Sequence, residues 1–468
     1  MRAAGSGSTS SWSTSTSRCP CDDGVPVLTH APSRTAREAP RTRPVPPGPL
    51  AGRPVPGLPP RPGTGHTADT SGAPAAPRHP GPGRLLEARP RGLPGAAAPA
   101  QPEQRRVSPP PLVVEQTTID AYRLVNRNPD RNMWSNLDLA LPEAKAELAE
   151  LIDCDPGEIA LNRNSTEGLC TAIFGIPLAA GDPVVVSHWD YPSVRAAWFQ
   201  RQEREGIEVV TADYDLMDSD DEIFAAYAAV LTPRTRVLQI THMSHWTGRV
   251  VPAKRLCRLA KDHGTLTVVD GAQTFAQMPV SFRDLDCDFF VTSLHKWMGA
   301  PVGNGMLVVR EQVIDRTWPL LAPFDPPPLR VDKFDHWNLG TYNSALQAGI
   351  LPAARFHREI GARAVHARVR ELTRYWVERA AAIPGFRLHT PLDTESLGAV
   401  SLFSVDGLDA RAVEQELRDA HQVHVQYREV RHLSGLRVSP HIYMRESELD
   451  RFVDPLAEVV DKQSAGRS

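Results

Sequence analysis

The first 110 residues of this 468-residue chain lack the side chains that build a hydrophobic core. They contain no Lys, Ile, Phe or Tyr, yet they hold 23 of the 44 prolines. Such a segment cannot bury enough apolar surface to offset the entropy that is lost on ordering. We therefore predict a disordered tail, rich in Pro, Arg and Gly, over residues 1–110. It is either a natural low-complexity extension or the product of a start codon assigned too far upstream in a GC-rich gene.

Several other absences narrow the class of protein. No run of about 18 apolar residues occurs, which excludes a membrane-spanning helix, and no apolar segment near the N-terminus has the form of a secretory signal. The six cysteines show no zinc-ligand spacing, and none follows Cys287. The tail carries 14 Arg against 6 acidic residues, so the net charge of −3 leaves −11 for the remainder, which disfavours nucleic acid as a partner. We expect a reduced cytosolic protein that binds no metal, membrane or nucleic acid.

After residue 110, short apolar runs alternate with amphipathic stretches. The apolar periodicity predicts one helix that begins at Pro192 and others over 112–127, 139–152, 169–176, 220–230 and 252–263. Short β-branched runs predict strands over 159–161, 184–186, 207–210, 237–240, 266–269, 289–291 and 306–309. This alternation predicts an α/β fold with a mostly parallel, doubly wound sheet. We expect a large domain over 111–340, a helical connection over 341–385 and a small C-terminal α/β domain over 386–465.

Two of the predicted strands end abruptly in polar residues. One runs Val268-Val269-Asp270-Gly271-Ala272-Gln273, and the other runs from Phe289 through Ser293 and His295 to Lys296. This pattern is typical of buried parallel strands whose C-terminal ends border a site. Pyridoxal 5'-phosphate (PLP) chemistry requires a Lys for a Schiff base and a carboxylate for the pyridinium nitrogen. We therefore predict a PLP site with Lys296 and Asp270 as its catalytic residues.

Both residues also have an ordinary structural interpretation. Asp270 could cap a turn with Gly271, and Lys296 could be a solvated strand end. Gln273 near Asp270 and the apolar run before Lys296 favour the cofactor instead. The Asp270 charge would keep the ring nitrogen protonated, and desolvation of the Lys296 amine would make it a nucleophile and proton carrier.

Hydroxyl groups at a predicted helix start suit a phosphate group. In Asn164-Ser165-Thr166-Glu167 the ordinary interpretation is an N-cap with an acidic first turn. A helix N-terminus that follows a strand also binds anions through its backbone N–H groups, and Ser165 and Thr166 would add hydroxyl donors. Ser293 and His295 are predicted to reach the same phosphate.

The segments after strands 184–186 and 237–240 supply aromatic and imidazole groups. Tyr191, with His188 as second choice, is predicted to stack on the flat cofactor ring, although both could instead pack against neighbouring helices. His242 and His245 lack nearby carboxylate or Cys partners, which disfavours a metal site. His245 is predicted to hydrogen-bond the phenolic oxygen of the cofactor.

Together, Asn164-Ser165-Thr166-Glu167, Asp270-Gly271-Ala272-Gln273 and Ser293-Leu294-His295-Lys296 resemble the motifs of the class V aminotransferase family of fold-type I PLP enzymes. The resemblance covers roughly residues 112–465 and is strongest to the isopenicillin N epimerase-like branch. It implies a homodimer with the active site at the subunit interface. It also implies that Lys296 forms the Schiff base, that Asp270 pairs with the pyridinium and that Tyr191 stacks on the ring.

The resemblance assigns further contacts. It places four side chains around the cofactor, chiefly its phosphate: Thr166, Gln273, Ser293 and His295. It implies that Thr341, in Leu339-Gly340-Thr341, reaches the phosphate of the neighbouring subunit. Arg437 matches the Arg that binds a substrate α-carboxylate with a bidentate fork, although an Arg at a strand start is more often simply solvated.

Three departures from the family pattern bear on function. His245 stands where the family usually has Asn, so the contact to the phenolic oxygen is altered. The N-terminal strand of the family, with its Asn-Gly-rich entry to the site, is not evident before residue 112. No Cys follows Cys287, so the mobile C-terminal Cys of cysteine desulfurases is missing and persulfide formation is disfavoured.

The expected function is that of an enzyme acting at the α-carbon of an amino acid. Transamination, epimerisation and elimination all begin when Lys296 removes the α-proton, and they differ in a second acid or base that the sequence does not locate. We take transamination as the nominal reaction, with epimerisation or Cys-independent elimination as alternatives. A non-catalytic PLP-binding regulator is the hypothesis from another class, and it is disfavoured by the presence of Lys296, Asp270 and Arg437.

Overall fold

The computed structural model describes residues 107–323, 330–392 and 396–465, and most of the predicted tail, residues 1–106, lies outside them. The longer helices of the described chain are α1 (Leu112–Arg127), α2 (Leu141–Ile152), α3 (Ser165–Gly175), α4 (Pro192–Glu205), α5 (Asp220–Val230), α6 (Ala253–Asp262), α7 (Ile350–Ile360), α8 (Ala362–Ala380), α9 (Ala410–His421) and α10 (Glu446–Ala465). Shorter helical turns span Pro129–Arg131, Asn132–Leu137, Asp138–Ala140, Pro156–Glu158, Phe282–Leu285, Glu311–Ile314, Val331–Phe334, His336–Leu339 and Ser344–Gln347.

The strands form two separate sheets. Those of the larger sheet are β1 (Ile159–Asn162), β2 (Pro183–Ser187), β3 (Glu208–Ala212), β4 (Val237–Thr241), β5 (Leu266–Asp270), β6 (Phe289–Ser293) and β7 (Gly305–Val309). Those of the smaller sheet are β8 (Phe386–Leu388), β9 (Ser401–Val405), β10 (Gln426–Val430) and β11 (Leu433–Val438).

Every helix and strand predicted before residue 310 is present, with ends that differ by at most four residues. The largest difference is at α3, which begins at Ser165 rather than near residue 169. Asn164 caps this helix, because its side chain accepts a hydrogen bond from the backbone N–H of Glu167 at 3.0 Å. The polar residues after Asn164 therefore form the first helical turn.

The larger sheet has the strand order β1-β7-β6-β5-β4-β2-β3. Strands β2 to β6 are parallel to one another, whereas β7 is antiparallel to both β6 and β1. Because β7 lies between β1 and β6 and is antiparallel to both, β1 and β6 point in the same direction. The C-terminal ends of β1, β2, β4, β5 and β6 consequently lie along one edge of the sheet, where ligands bind in open α/β sheets.

Apolar residues on both faces explain why the parallel strands have unbroken apolar runs. Val185 packs in one hydrophobic cluster, whereas its neighbours Val184 and Val186 pack in the cluster on the opposite face. The same alternation separates Phe290 from Phe289 in β6. Helices cover each face, which confirms the predicted doubly wound α/β architecture.

The smaller sheet is antiparallel, with the strand order β10-β11-β9-β8. One of its faces packs against α8, α9 and α10 around Trp376, Phe403 and Phe452. Ring centroids lie 5.7 Å apart for Trp376 and Phe403 and 6.0 Å apart for Phe403 and Phe452. Because side chains alternate along a strand, the residues between these core positions face the larger sheet.

The last residues of the predicted tail pack against the larger sheet. Ser108 is 2% exposed, and its backbone N–H donates to the carbonyl oxygen of His295 at 3.2 Å. Its hydroxyl donates to the carbonyl oxygen of Lys296. Ordered contacts are thus present at Ser108, two residues before the predicted tail boundary at 110. Among the described residues, no helix is both long and apolar enough to span a membrane.

Candidate active site

Two serine hydroxyls meet where β1, β6 and α3 come together. The backbone N–H of Ser165, at the start of α3, donates to Ser293 Oγ at 2.8 Å, and the two hydroxyl oxygens are 2.7 Å apart. Both residues are buried, whereas Thr166 is exposed. The N-terminus of an 11-residue helix and two hydroxyl groups are a suitable receptor for a phosphate group.

A glycine allows this close approach. Gly305 is paired in register with Asn162 on one side and with Ser293 on the other. A Cβ atom at Gly305 would lie 2.2 Å from Asn162 Oδ1 and 2.7 Å from the Cα atom of Asn164. Any side chain at Gly305 would therefore push the Asn164 turn, and with it the start of α3, away from Ser293.

Asp270 ends β5 and is 7% exposed. Its Oδ1 accepts the backbone N–H of Ala272 at 3.0 Å, so the turn-capping contact considered from the sequence does exist beside any role towards a ligand. Gly271 is packed under the Phe290 ring, where a Cβ atom would come within 1.9 Å of the ring carbon Cζ. Gln273 Oε1 accepts the indole N–H of Trp297 at 3.1 Å, which fixes the turn after Asp270 to the segment after Lys296.

Lys296 lies three residues beyond the end of β6 and is half-buried. The neighbouring His295 is buried, with Nδ1 3.0 Å from the carbonyl oxygen of Asn304. Burial lowers the pKa of His295, and the adjacent Lys296 charge lowers it further. A neutral His295 suits a hydrogen-bonding role, while Ser108 holds the backbone of this segment from the other side.

An aromatic group and an imidazole face each other at the same sheet edge. The ring centroids of Tyr191 and His245 are 4.9 Å apart with an interplanar angle of 65°, and Tyr191 is 39% exposed. His242 points elsewhere: its Nδ1 lies 3.1 Å from the hydroxyl of Thr274, and burial lowers its pKa to about 4. In the described ranges, no cluster of three His, Cys, Asp or Glu side chains is arranged to hold a metal ion.

Arg437 joins the smaller sheet to this edge. It is the penultimate residue of β11 and is 0% exposed. One Nη donates to the carbonyl oxygen of His245 at 3.0 Å, and the other donates to Gln426 Oε1. The alternative of a solvated Arg at a strand start is wrong, because Arg437 lies near the end of its strand on the face that packs towards the larger sheet.

Thr341 is not brought to the other predicted residues by the described chain. It is exposed, follows Gly340 at a φ of 86°, and within the described residues no hydrogen bond joins it to Ser165, Ser293 or His295. Its predicted contact is with a neighbouring subunit, so its role depends on a dimer.

The segment that carries Tyr191 also contains a buried carboxylate that sequence reasoning missed. Asp190 Oδ2 accepts the backbone N–H of Ser187 at 2.7 Å, and its Oδ1 accepts the hydroxyl of Thr241 at 2.6 Å. Thr241 is paired in register with Asp270. Asp190 therefore connects the Tyr191 segment to the strand pair that ends in Asp270. Its position after a strand was visible in the sequence, but its burial was not.

Asp190→Asn is expected to remove a pH-dependent loss of stability. Burial raises the pKa of Asp190 to about 7, and the Asp270 charge contributes to the increase. The folded state therefore holds this proton more tightly than the unfolded state, and the stability gained at acid pH is lost as pH rises through about 7. Between about pH 4 and pH 8, the wild-type free energy of unfolding should fall by a few kcal/mol more than that of the variant.

Urea unfolding of both proteins across this pH range checks the prediction. Asn is a suitable replacement because its Oδ1 can still accept one hydrogen bond, while its amide can donate to Thr241. Asp182→Asn is the control, since Asp182 is only half-buried and also accepts a backbone N–H, that of Ala179, at 2.7 Å. Parallel pH profiles for wild type and Asp190→Asn would contradict the prediction.

Three hydrogen bonds tie the two sheets together near the site. The Arg437 side chain donates to the carbonyl oxygen of His245 at 3.0 Å, and Thr390 donates to that of Thr247 at 2.6 Å. The backbone N–H of Ala399 donates to Gln277 Oε1 at 2.7 Å. The segment after β4, residues 242–248, which we term the β4 loop, is therefore held at two points, by Arg437 of the smaller sheet and by Thr390 in the connection between β8 and β9.

Comparison with known proteins finds an epimerase, a probable cysteine desulfurase and a solved PLP-bound structure that are similar to this chain. The chain is 30% identical to isopenicillin N epimerase of Streptomyces clavuligerus over 330 residues, which is 67% of this chain and 83% of the relative. It is 27% identical to a probable cysteine desulfurase of Xylella fastidiosa over 379 residues, 75% of this chain and 88% of the relative. A solved structure of a C-DES mutant with glycine covalently linked to its PLP cofactor has a TM-score of 0.69 at 20% identity, covering 77% of this chain and 97% of that chain.

The donor set described above fits PLP. The two serine hydroxyls at the N-terminus of α3 suit the phosphate, the Asp270 carboxylate suits the pyridinium nitrogen, and Lys296 supplies an amine at the same sheet edge. The expected fold-type I architecture and the resemblance to the isopenicillin N epimerase-like branch are both confirmed. Because the model of the aminotransferase class-V family matches residues 107–452, about three quarters of the chain, the protein belongs to that family, and its cofactor is PLP.

Proposed function

We propose that this protein is a PLP-dependent enzyme that removes the α-proton of an amino-acid substrate, with Lys296 as its Schiff-base lysine and nominally with transamination as the outcome. The observation that supports the proposal is the gathering of Ser165, Ser293, Asp270, Lys296 and Arg437 along one edge of the larger sheet. When bound, PLP supplies an electron-withdrawing ring system for the electrons released at the α-carbon.

The residues of the chain have separate tasks in this proposal. Ser165, Ser293 and the N-terminus of α3 bind the phosphate and so fix the position of the ring. Asp270 holds a proton on the ring nitrogen, because an anion in a buried site stabilises the protonated form. The face of Tyr191 packs on the ring, and His245 is the donor to its phenolic oxygen.

Lys296 and Arg437 act on the substrate. The planar Arg437 fork binds the α-carboxylate through two parallel hydrogen bonds, which orients the α-carbon. Nζ of Lys296 would be the general base that removes the α-proton. Transamination would require Nζ to pass this proton to the bound cofactor rather than back to the α-carbon, so that the amino group stays with the cofactor and the substrate leaves as a 2-oxo acid.

Epimerisation is the second candidate, because two isopenicillin N epimerases, from Streptomyces clavuligerus and Amycolatopsis lactamdurans, are each 30% identical to this chain. That outcome requires a proton to reach the α-carbon from the face opposite Lys296. A lyase reaction of the kind named for the cystine C–S lyase C-DES is a further possibility for the same first step.

Persulfide formation is disfavoured although cysteine desulfurases are relatives. A desulfurase needs a thiolate that attacks the substrate sulfur. Of the cysteines in the described chain, Cys154, Cys257 and Cys287 are buried and Cys170 is half-buried. Burial raises the pKa of each of the four thiols, to about 12 for Cys154 and Cys257, so they remain protonated.

The test is incubation of the PLP-loaded enzyme in D₂O with a panel of amino acids, with and without a 2-oxo acid as amino acceptor. Transamination predicts deuterium at the α-carbon together with acceptor-dependent formation of a 2-oxo acid from the substrate. Appearance of the other enantiomer without 2-oxo acid would select epimerisation instead. If no amino acid on a broad panel exchanges its α-proton, the proposal is wrong.

Two further proposals follow from the family. We propose a homodimer in which Thr341 of each chain reaches the phosphate site of the other, which accounts for the exposure of Thr341 in the single chain. We also propose a cytosolic location, in keeping with the unpaired cysteines.

A further inference from the structure

The strand next to Arg437 carries a second arginine on the same face of the smaller sheet. Gln426 of β10 is paired in register with Arg437 of β11, and Arg428 is paired with Gly435. Directly paired residues share a face, and residues two apart on a strand do as well. Gln426, Arg428 and Arg437 therefore all lie on the face that packs towards the larger sheet.

The burial of the neighbouring residues supports this assignment. Leu436 and Tyr427, at the alternate positions, contribute to the hydrophobic core on the opposite face of the sheet. Gly435 leaves the position across from Arg428 without a side chain. A Cβ atom there would lie 2.3 Å from the carbonyl oxygen of Phe403, so a larger residue cannot be accommodated without displacing β9.

The two guanidinium groups converge on one oxygen atom. Arg428 and Arg437 each donate from Nη2 to Gln426 Oε1. Two donors on one acceptor place their nitrogen atoms within about 6 Å of each other. Two positive charges at this separation attract an anion together more strongly than either does alone.

The two arginines differ in depth. Arg437 is 0% exposed and is fixed to the carbonyl oxygen of His245, beside the cofactor site. Arg428 is half-buried and lies farther along the sheet from that bond. Because both guanidinium groups contact Gln426 Oε1, a substrate whose α-carboxylate binds Arg437 has Arg428 within reach of a short side chain.

We propose that Arg428 binds a second carboxylate of the substrate, so that the enzyme acts on amino acids with an acidic side chain. This inference rests on the proposed function, in which Arg437 binds the α-carboxylate. Both Nη atoms of each arginine donate to protein acceptors, Arg437 to His245 and Gln426, and Arg428 to Tyr427 and Gln426. A guanidinium group has five N–H donors. Each group can therefore bind a carboxylate as well, and two adjacent groups match a substrate with two carboxylates. Gln426 holds the two forks at a fixed separation.

A purely structural role for Arg428 makes a different prediction. Arg428 could serve only to orient Gln426, which in turn supports Arg437. In that case, loss of Arg428 would lower kcat/KM for every amino-acid substrate to the same extent. If Arg428 binds the side-chain carboxylate, its loss affects acidic substrates alone.

The experiment compares Arg428→Met with wild type using aspartate, glutamate, alanine and 2-aminobutyrate as substrates of the PLP-loaded enzyme. For the better acidic substrate, kcat/KM should fall about ten- to a hundredfold, the range expected for one hydrogen-bonded ion pair. For the neutral substrates it should change less than about threefold. Arg431→Met is the matched control, since Arg431 lies in the same hairpin and pairs with Asp213 at 2.6 Å. An equal decrease for acidic and neutral substrates would overturn the proposal.

Binding of non-reacting acids separates this inference from the proposed function. Wild-type holoenzyme should bind succinate at least about tenfold more tightly than butyrate in a calorimetric titration, and Arg428→Met should lose the difference. This preference can be measured even if no amino acid undergoes α-proton exchange, which would refute only the proposed function. Equal affinity of wild type for succinate and butyrate refutes the inference, and this measurement does not depend on whether the variant folds.

Discussion

Lys296→Ala is expected to lower the rate of α-proton exchange by at least about 10⁴-fold, because it removes both the covalent attachment and the general base. Lys296 follows a fully buried strand and lies at the sheet edge shared by Asp270 and Ser293. Lys296 is half-buried rather than a core residue, so the fold should survive truncation to Ala. The readouts are exchange of the α-proton in D₂O and the visible absorption of the bound cofactor.

The attachment site can be mapped directly. Borohydride reduction of wild type, followed by digestion and mass analysis, should place the phosphopyridoxyl label on the peptide that contains Lys296, and Lys296→Ala should carry none. Lys254→Ala is the matched control, since Lys254 is an exposed lysine that pairs with Asp284 and has no part in the proposed site. A label on any other lysine would remove the basis for the proposed function.

Asp270→Asn is expected to slow α-proton exchange by about 10²- to 10³-fold, the usual effect of removing one preorganised charge from an active site. The substitution keeps the shape of the side chain, and Oδ1 of Asn can still accept the N–H of Ala272. What is lost is the negative charge that keeps the ring nitrogen protonated. The expected signature is a lower rate with little change in the amount of cofactor bound.

Asp288→Asn provides a control for the chemistry of the substitution. Asp288 is a half-buried carboxylate, and it accepts the backbone N–H and the hydroxyl of Thr267 at 2.8 and 3.0 Å. It precedes β6 and so lies at the sheet edge opposite the site. Its substitution should leave the exchange rate within about threefold of wild type. A similar loss of rate in both variants would mean that the effect of Asp270→Asn comes from the fold rather than from the site.

The sequence predicted the elements of the larger sheet well because its strands are buried on both faces. Apolar β-branched runs such as Val184-Val185-Val186 have few other interpretations when helical stretches separate them. The sequence also predicted which ends carry chemistry, since Asp270 and Ser293 interrupt apolar runs abruptly. The order of the strands in the sheet could not be predicted from the sequence. The antiparallel insertion of β7 between β6 and β1 leaves no mark on apolar periodicity, because it depends on which strands pair.

Burial and partners of polar residues could not be predicted from the sequence. Asp190 reads as an ordinary loop residue, and its two short hydrogen bonds to Ser187 and Thr241 depend on the packing of β2 beside β4. Arg437 was placed in the site only through the family resemblance, and its position near a strand end was not foreseen. In the same way, Ser108 belongs by composition to the proline-rich tail, yet it contacts the Lys296 segment.

The attachment of the β4 loop to the smaller sheet has a mechanical consequence. The guanidinium that is expected to take up the substrate carboxylate also holds the main chain at His245, whose ring faces Tyr191. A displacement of β11 would therefore reach the side chains of His245 and Tyr191 through one planar side chain and one hydrogen bond. Substitutions deep in the smaller sheet, far from any cofactor atom, can thus alter the optical spectrum of the bound cofactor.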